Sequence, residues 1–384
     1  MLVNSVIFQT LFQVILLLAF ATRHPSLSAL FFLFSLIVIF SSFKKFRHMS
    51  LLVKIVGVSF TVVTGFMFAL NIFRYPPAVV FWVLGIVTYL SVVLLLSNKE
   101  TFRRASGITL YAFQAVAFFS FAYFGFENFP WANPLEKIIP GASANGITSY
   151  VVILQINYSL CQYVRGKKAP TLSMIFTVII ATAGYGRGSI VSGILIILLT
   201  VGMQFFTKNR YKMFIAVGAV VVFGFFTYLK NQDAVDFFFL SKTKFSSAGV
   251  KSSHREFMMN DYMNKINLTT FFQGAGYENT AITTYYHENP HNSYIRAHNI
   301  FGLPYLIIIF VMPFVTYFFY KKRTHVLFSF VLLMILSLRC FTEPNLFPSI
   351  MDFYYFALLL YPATIIQNIN NSTEDESKIV AEAQ

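Results

Sequence analysis

Charge is what this chain has least of: 11% of its 384 residues are Asp, Glu, Lys or Arg, and only fifteen are acidic. Four of those acids, Glu374, Asp375, Glu376 and Glu382, lie in the tail after Asn371. With so few carboxylates and no Asp-x-Asp motif, a metal-dependent sugar-nucleotide transferase is not indicated. Cysteine is nearly absent as well. Cys161 and Cys340 both fall in apolar stretches, which argues against a disulfide framework or a thiolate metal site. Met1-Leu2-Val3-Asn4 lacks the basic lead-in of a cleaved signal peptide, so the first apolar stretch is expected to be a retained helix. No internal repeat is evident.

Apolar surface fills the space that charge leaves. The chain is 57% hydrophobic, carries 47 phenylalanines and has a mean hydropathy of +0.65. Because ~20 apolar residues cross the hydrocarbon core, these runs imply an all-α, polytopic membrane protein. Twelve spans are expected, at 5–22, 27–43, 50–70, 77–97, 107–126, 147–164, 170–184, 189–206, 213–229, 298–320, 326–341 and 349–366. Nine spans thus occupy 1–229 and three occupy 298–366. A soluble segment, 230–297, separates them, and 367–384 is an acidic tail.

The formal net charge of +14 would suggest nucleic acid in a soluble protein. Here it is a topology signal. Fifteen Lys/Arg sit in loops of one parity: Lys44, Lys45, Arg47, Lys99, Arg103, Arg104, Arg165, Lys167, Lys168, Lys208, Arg210, Lys212, Lys321, Lys322 and Arg323. Short loops of the other parity hold five: Arg23, Arg74, Lys137, Arg187 and Arg339. The positive-inside bias therefore puts both termini in the cytoplasm and 230–297 outside.

Polar groups converge on that outer side. Residues 127–146, with Pro130, Trp131 and Pro134, read as an interfacial turn. Segment 230–297 is long enough to expect a function, with a helix expected over 254–266. Arg187 lies in Gly184-Tyr185-Gly186-Arg187-Gly188-Ser189, and Arg339 and Glu343 lie at the exit of the eleventh span. Asn289 suits an N-cap and Pro290 the first helical position. A helix from there to Tyr320 would be about 47 Å long at ~1.5 Å per residue, lifting its first turns out of the bilayer. His291, Ile295 and His298 would then share one face, with His291 beside the positive end of the helix dipole, where anions bind. A neutral imidazole there could serve as general base; the plainer reading is a solvated interfacial histidine.

Arg187 and Arg255 could grip a diphosphate through bidentate guanidinium contacts, or simply snorkel to the interface. Arg296 could join that grip, although its position points it partly away from the His291 face. Glu343 could orient an arginine or His291. The match of His287-Glu288-Asn289-Pro290-His291 to a zinc-protease signature is taken as accidental, since Pro290 would break the helical turn that the motif needs.

These residues resemble the O-antigen ligase and O-antigen polymerase superfamily of bacterial envelope enzymes. The ligase-type pattern reads here as His291-Asn292, nine residues, Gly302, Leu303-Pro304, Tyr305. Gly186-Arg187-Gly188-Ser189 looks like the family's arginine-glycine turn. Arg255, followed by Phe272-Gln273-Gly274-Ala275-Gly276-Tyr277, looks like its outer-loop pattern, and Thr342-Glu343-Pro344 like its late acidic motif. The likeness covers about 180–350; the first half matches only as generic spans.

By resemblance the protein would be a metal-independent glycosyltransferase of the bacterial inner membrane. It would need no cofactor and would use a glycan linked to undecaprenyl diphosphate. His291 and Glu343 would serve catalysis, with Arg187, Arg255, Asn292, Arg296 and His298 on the substrate. The expected partners are that lipid-linked glycan, a glycan acceptor, the bilayer and a chain-length regulator. A polymerase joins repeat units to one another; a ligase moves the finished polymer to lipid A-core. The Tyr-rich outer segment (Tyr277, Tyr285, Tyr286, Tyr294) favours the polymerase. A twelve-span transporter or flippase is a third possibility, but one would expect two similar halves and polar groups at the midplane.

Overall fold

The computed structural model describes residues 2–125, 133–139, 142–184, 186–205, 253–286, 288–320 and 323–363. The expected span 213–229 and the acidic tail lie outside them. Among the described residues the chain is all-α.

In order, the helices are α1 Val6–Thr22, α2 Pro25–Ser41, α3 Leu51–Asn71, α4 Ala78–Leu95, α5 Lys99–Phe124, α6 Ala144–Val164, α7 Thr171–Ala183, α8 Arg187–Phe205, α9 Ser253–Met263, α10 Leu268–Gln273, α11 Ala281–Tyr286, α12 Ser293–Phe319, α13 Arg323–Cys340 and α14 Asp352–Leu360. Four of them, α3, α4, α5 and α12, are long and apolar enough to cross a membrane, and α1, α2, α7, α8 and α13 contribute shorter apolar helices. The protein is a multi-pass membrane protein.

Helix α6 is as long as a span but too polar to be counted with the four. It carries Asn145, Thr148, Ser149, Gln155, Asn157, Ser159 and Gln162, yet nearly all of it is buried. Its neighbours α5, α7, α8, α13 and α14 surround it, so it needs no lipid-facing stripe. Its polar side chains bond to other helices instead. Asn157 Nδ2 and Gln13 Nε2 both donate to Ser106 Oγ (3.0 and 3.2 Å), and Thr177 Oγ1 donates to Gln155 Oε1 at 3.2 Å. Such cross-helix bonds hold membrane bundles where the hydrophobic effect gives no preference between protein and lipid.

Helix α14 is buried over its whole length. The last span was expected over 349–366, but the described helix starts at Asp352. The Asp352 carboxylate accepts the Phe347 and Ser349 amides (2.8 and 3.0 Å), which closes a turn where helix was expected.

The described residues include polar contacts at both ends of the bundle. At one end Lys45 Nζ reaches Ser97 Oγ (2.9 Å), and Glu100 is surrounded by Arg103 (2.6 Å), Arg104 (3.0 Å) and Arg165 (3.6 Å). At the other end the described part of the soluble segment, helices α9 to α11, caps the bundle. Helix α9 lies where a helix was expected over 254–266, three residues shorter at its C-terminus.

Helix α12 carries the main correction. It starts at Ser293, capped by Asn292, whose Oδ1 accepts the Tyr294 and Ile295 amides (2.8 and 3.1 Å). Asn289 is not the cap. Its side chain accepts the His291 amide at 3.0 Å, and His291 has a φ of 47°, outside the helix. His291, Ile295 and His298 therefore do not share a helical face.

The helix is also not continuous. Gly302 adopts φ 66°, ψ −167°, so two segments, 293–301 and 303–319, meet at a break. Pro304, which has no amide hydrogen, follows two residues later. The carbonyls freed by the break are met by the end of α3: Arg74 Nη2 donates to Asn299 O (2.7 Å) and Asn71 Nδ2 to Ile300 O (3.4 Å). The same two side chains hold the cap, through Arg74 to Gly274 O (2.7 Å) and Asn71 to Gln273 O (2.9 Å). Cap and break touch so closely that a Cβ on Gly302 would lie 2.1 Å from Phe272 O, and one on Gly274 2.0 Å from His298 O.

Candidate functional site

Beneath the cap lies a cavity of about 470 Å³. Its bundle side is built by Ala19 and Phe20 of α1, Phe81 and Leu84 of α4, and Arg296 and Ile300 of α12, with Arg23 and Arg74 from the adjoining turns. Its cap side brings Tyr277, Glu278, Glu288 and Asn289. Three guanidiniums and an apolar wall thus share one space.

The arginines arrive by local rules. Arg23 ends α1 in a left-handed conformation (φ 54°), and its exposed side chain has no bonding partner among the described residues. Arg74 follows the last turn of α3 and spends its donors on the carbonyls above. Burial pulls its guanidinium below its ordinary pKa, while Tyr262 and Glu278 act in the opposite direction. Arg296 sits one turn into α12, 5.5 Å from the centre of the Phe81 ring, and donates to Pro344 O (3.0 Å) and Pro348 O (2.6 Å). A guanidinium has five N–H groups, so three remain for a ligand.

Beside the cavity is a second polar cluster. Gly188 packs where a Cβ would come 2.9 Å from Arg339 Nη1, which places the Arg187 turn against α13. Arg339 is buried and donates to Asn145 O (3.2 Å), Asn145 Oδ1 (3.1 Å), Ser149 Oγ and Thr342 Oγ1. The Glu343 carboxylate lies 4.0 Å from Arg339 and accepts from the Asn145 amide. Ser293 Oγ donates to Glu343 O at 2.7 Å, which joins the start of α12 to this loop.

The expected site residues separate accordingly. Arg296 lines the cavity. His291 and Glu343 are each one residue from a lining proline, Pro290 and Pro344, and the His291 ring stands edge-on to Tyr286 with centroids 6.0 Å apart. Arg187 lies at the start of α8, beside the Arg339 cluster. Asn292 uses its side-chain oxygen as the α12 cap. His298 is packed away from the cavity: its Nδ1 pairs with Tyr262 Oη and its Nε2 with Phe271 O, both at 2.8 Å. The side chain of Arg255, on α9, lies outside the described residues.

Sequence reasoning missed Arg23, Arg74, Tyr75, Glu278 and Glu288 as cavity residues, whereas Tyr277 was among the tyrosines it singled out. A signal existed for the first two, which are among the five cations in short loops of the sparsely charged parity. Of those five, Arg23 and Arg74 line the cavity and Arg339 organises the cluster beside it.

No protein-family model, curated protein or solved structure matches this chain.

Proposed function

We propose that this protein is a membrane glycosyltransferase of surface-polysaccharide biosynthesis. It would polymerise repeat units carried on undecaprenyl diphosphate at the outer face of the bacterial inner membrane. The carrying observation is the cavity itself, in which guanidiniums stand beside an apolar wall. A polyprenyl diphosphate has both requirements, an anionic head for arginines and a hydrocarbon tail for Phe20, Phe81 and Leu84. The positive-inside bias supports the orientation, since it turns the basic end to the cytoplasm and the cavity outward. The resemblance of the His291 and Arg187 motifs to the O-antigen enzymes supports the same reading.

In this reading Arg23 and Arg296 hold the diphosphate and stabilise the charge that develops as the sugar–phosphate bond breaks. The acceptor hydroxyl loses its proton to a base on the 288–291 turn. Twelve spans, with both termini cytoplasmic, would accommodate this arrangement.

Deleting the gene and separating the envelope glycolipids on a gel tests it. Core bearing a single repeat unit is the expected result. Bare core with polymer left on carrier lipid would make the protein the ligase instead. An unchanged glycolipid pattern would overturn the glycosyltransferase reading.

A further inference from the structure

We propose that Glu288, on the cap side of the cavity, takes the proton from the acceptor sugar's hydroxyl, a role the sequence pattern alone assigns to His291. This rests on the glycosyl-transfer reading above.

Four observations carry it. First, Glu288 lines the cavity and His291 does not. Second, Glu288 is held in a left-handed conformation (φ 63°), pinned by its own amide to Ile282 O (3.0 Å) and by the Asn289 amide to Tyr286 O (2.9 Å). Backbone strain of this kind persists only where the surroundings enforce it, and it gathers at functional sites. Third, the other cap carboxylate has a different employment. Glu278 folds over Gly276, where a Cβ would meet its Oε2 at 1.8 Å, and its charge acts on Arg74. Glu288 makes no ion pair with a described residue, so its carboxylate lone pairs stay available.

The fourth observation points to a ligand. Tyr277 lines the same cavity, and its hydroxyl is buried with no hydrogen-bond partner among the described residues. Glu288, Tyr75 and Arg296 all act on it electrostatically, and burial pushes its pKa well up, so it remains a neutral O–H group. Buried hydroxyls are almost always bonded, and a sugar hydroxyl entering the cavity that Glu288 and Tyr277 both line would be a partner of the right chemistry.

The step balances as an inverting displacement. The acceptor oxygen bonds to the anomeric carbon of the donor sugar as its proton passes to Glu288. The anomeric carbon–oxygen bond to the diphosphate breaks, and its electron pair leaves with the diphosphate on the polyprenyl carrier.

The test uses the full-length protein in membrane vesicles that carry their own lipid-linked repeat units. Glu288→Gln keeps the shape and removes the base. Glycan elongation should fall by about 100-fold or more, while binding of undecaprenyl diphosphate, followed by native mass spectrometry, stays at the wild-type level. His291→Gln should cost less than Glu288→Gln. In Glu288→Ala, added formate should restore part of the elongation, which repair of a purely structural role would not do. Normal elongation by Glu288→Gln overturns the assignment and leaves the glycosyltransferase reading standing. Loss of carrier binding in Glu288→Gln, or a Glu288→Ala that formate cannot rescue, also overturns it. Unchanged glycolipids after gene deletion would instead remove the underlying reading.

Discussion

Replacing Gly302 with alanine should uncouple the cap from the bundle. At φ 66° and ψ −167° the backbone is in a region essentially restricted to glycine, so a side chain there costs on the order of 1–3 kcal/mol in strain alone. The added Cβ would also lie 2.1 Å from Phe272 O and 2.7 Å from the Gln273 carbonyl carbon, both of them backbone atoms that no rotamer change can move. Relief requires the 272–275 segment, the end of α10 and the turn after it, to retreat. That movement loosens the Arg74 bonds to Gly274 O (2.7 Å) and Asn299 O (2.7 Å). Hydrogen bonds from a charged donor contribute ~1.5–3 kcal/mol each. Losing one of them as well brings the expected penalty to about 3 kcal/mol or more, over 100-fold in the docking equilibrium of the cap, since ~1.4 kcal/mol is tenfold. Amide hydrogen exchange in detergent micelles reads this directly: residues 258–282 should exchange faster in Gly302→Ala, while α6 keeps its wild-type protection. Equal protection of the cap in wild type and mutant would refute the argument that this glycine is required by contact.

Other perturbations separate structural arginines from functional ones. Arg339→Ala should remove the protein from the membrane fraction, because the loss of a buried guanidinium strands Asn145, Ser149 and Glu343 at a cost of ~3 kcal/mol or more; immunoblotting of membranes checks this. Arg23→Ala should leave the melting temperature in detergent unchanged, since its side chain has no partner among the described residues, yet weaken undecaprenyl diphosphate binding severalfold. Tyr262→Phe should cost ~1–2 kcal/mol by removing the hydroxyl that pairs with His298 Nδ1 (2.8 Å) and donates to Ala275 O (3.2 Å), seen as a lower cap-unfolding midpoint in urea.

Much of the architecture was legible before any coordinates. Apolar runs located the long helices, because a backbone in lipid must satisfy its own hydrogen bonds and helix is the local way to do so. The Gly188 turn packs against Arg339 near the α13 exit, a pairing that no local pattern announced. What could not be read was the start of α12. Asn289 and Asn292 are both good caps, and only the packing of Pro290 and the capping of the Tyr294 and Ile295 amides by Asn292 decide between them.

The sequence alone determined that this is an all-α, multi-pass membrane protein, because hydropathy acts along the chain itself. Which side chains meet in the cavity was decided by tertiary structure. Arg23, Arg74 and the stretch holding Glu288 and Arg296 are far apart in the chain, and beside them the carbonyls freed by the break at Gly302 are met by Asn71 and Arg74 at and just past the end of α3. A helix interruption of that kind is stable only when a distant segment supplies its missing hydrogen bonds, and no local pattern records where that segment will come from.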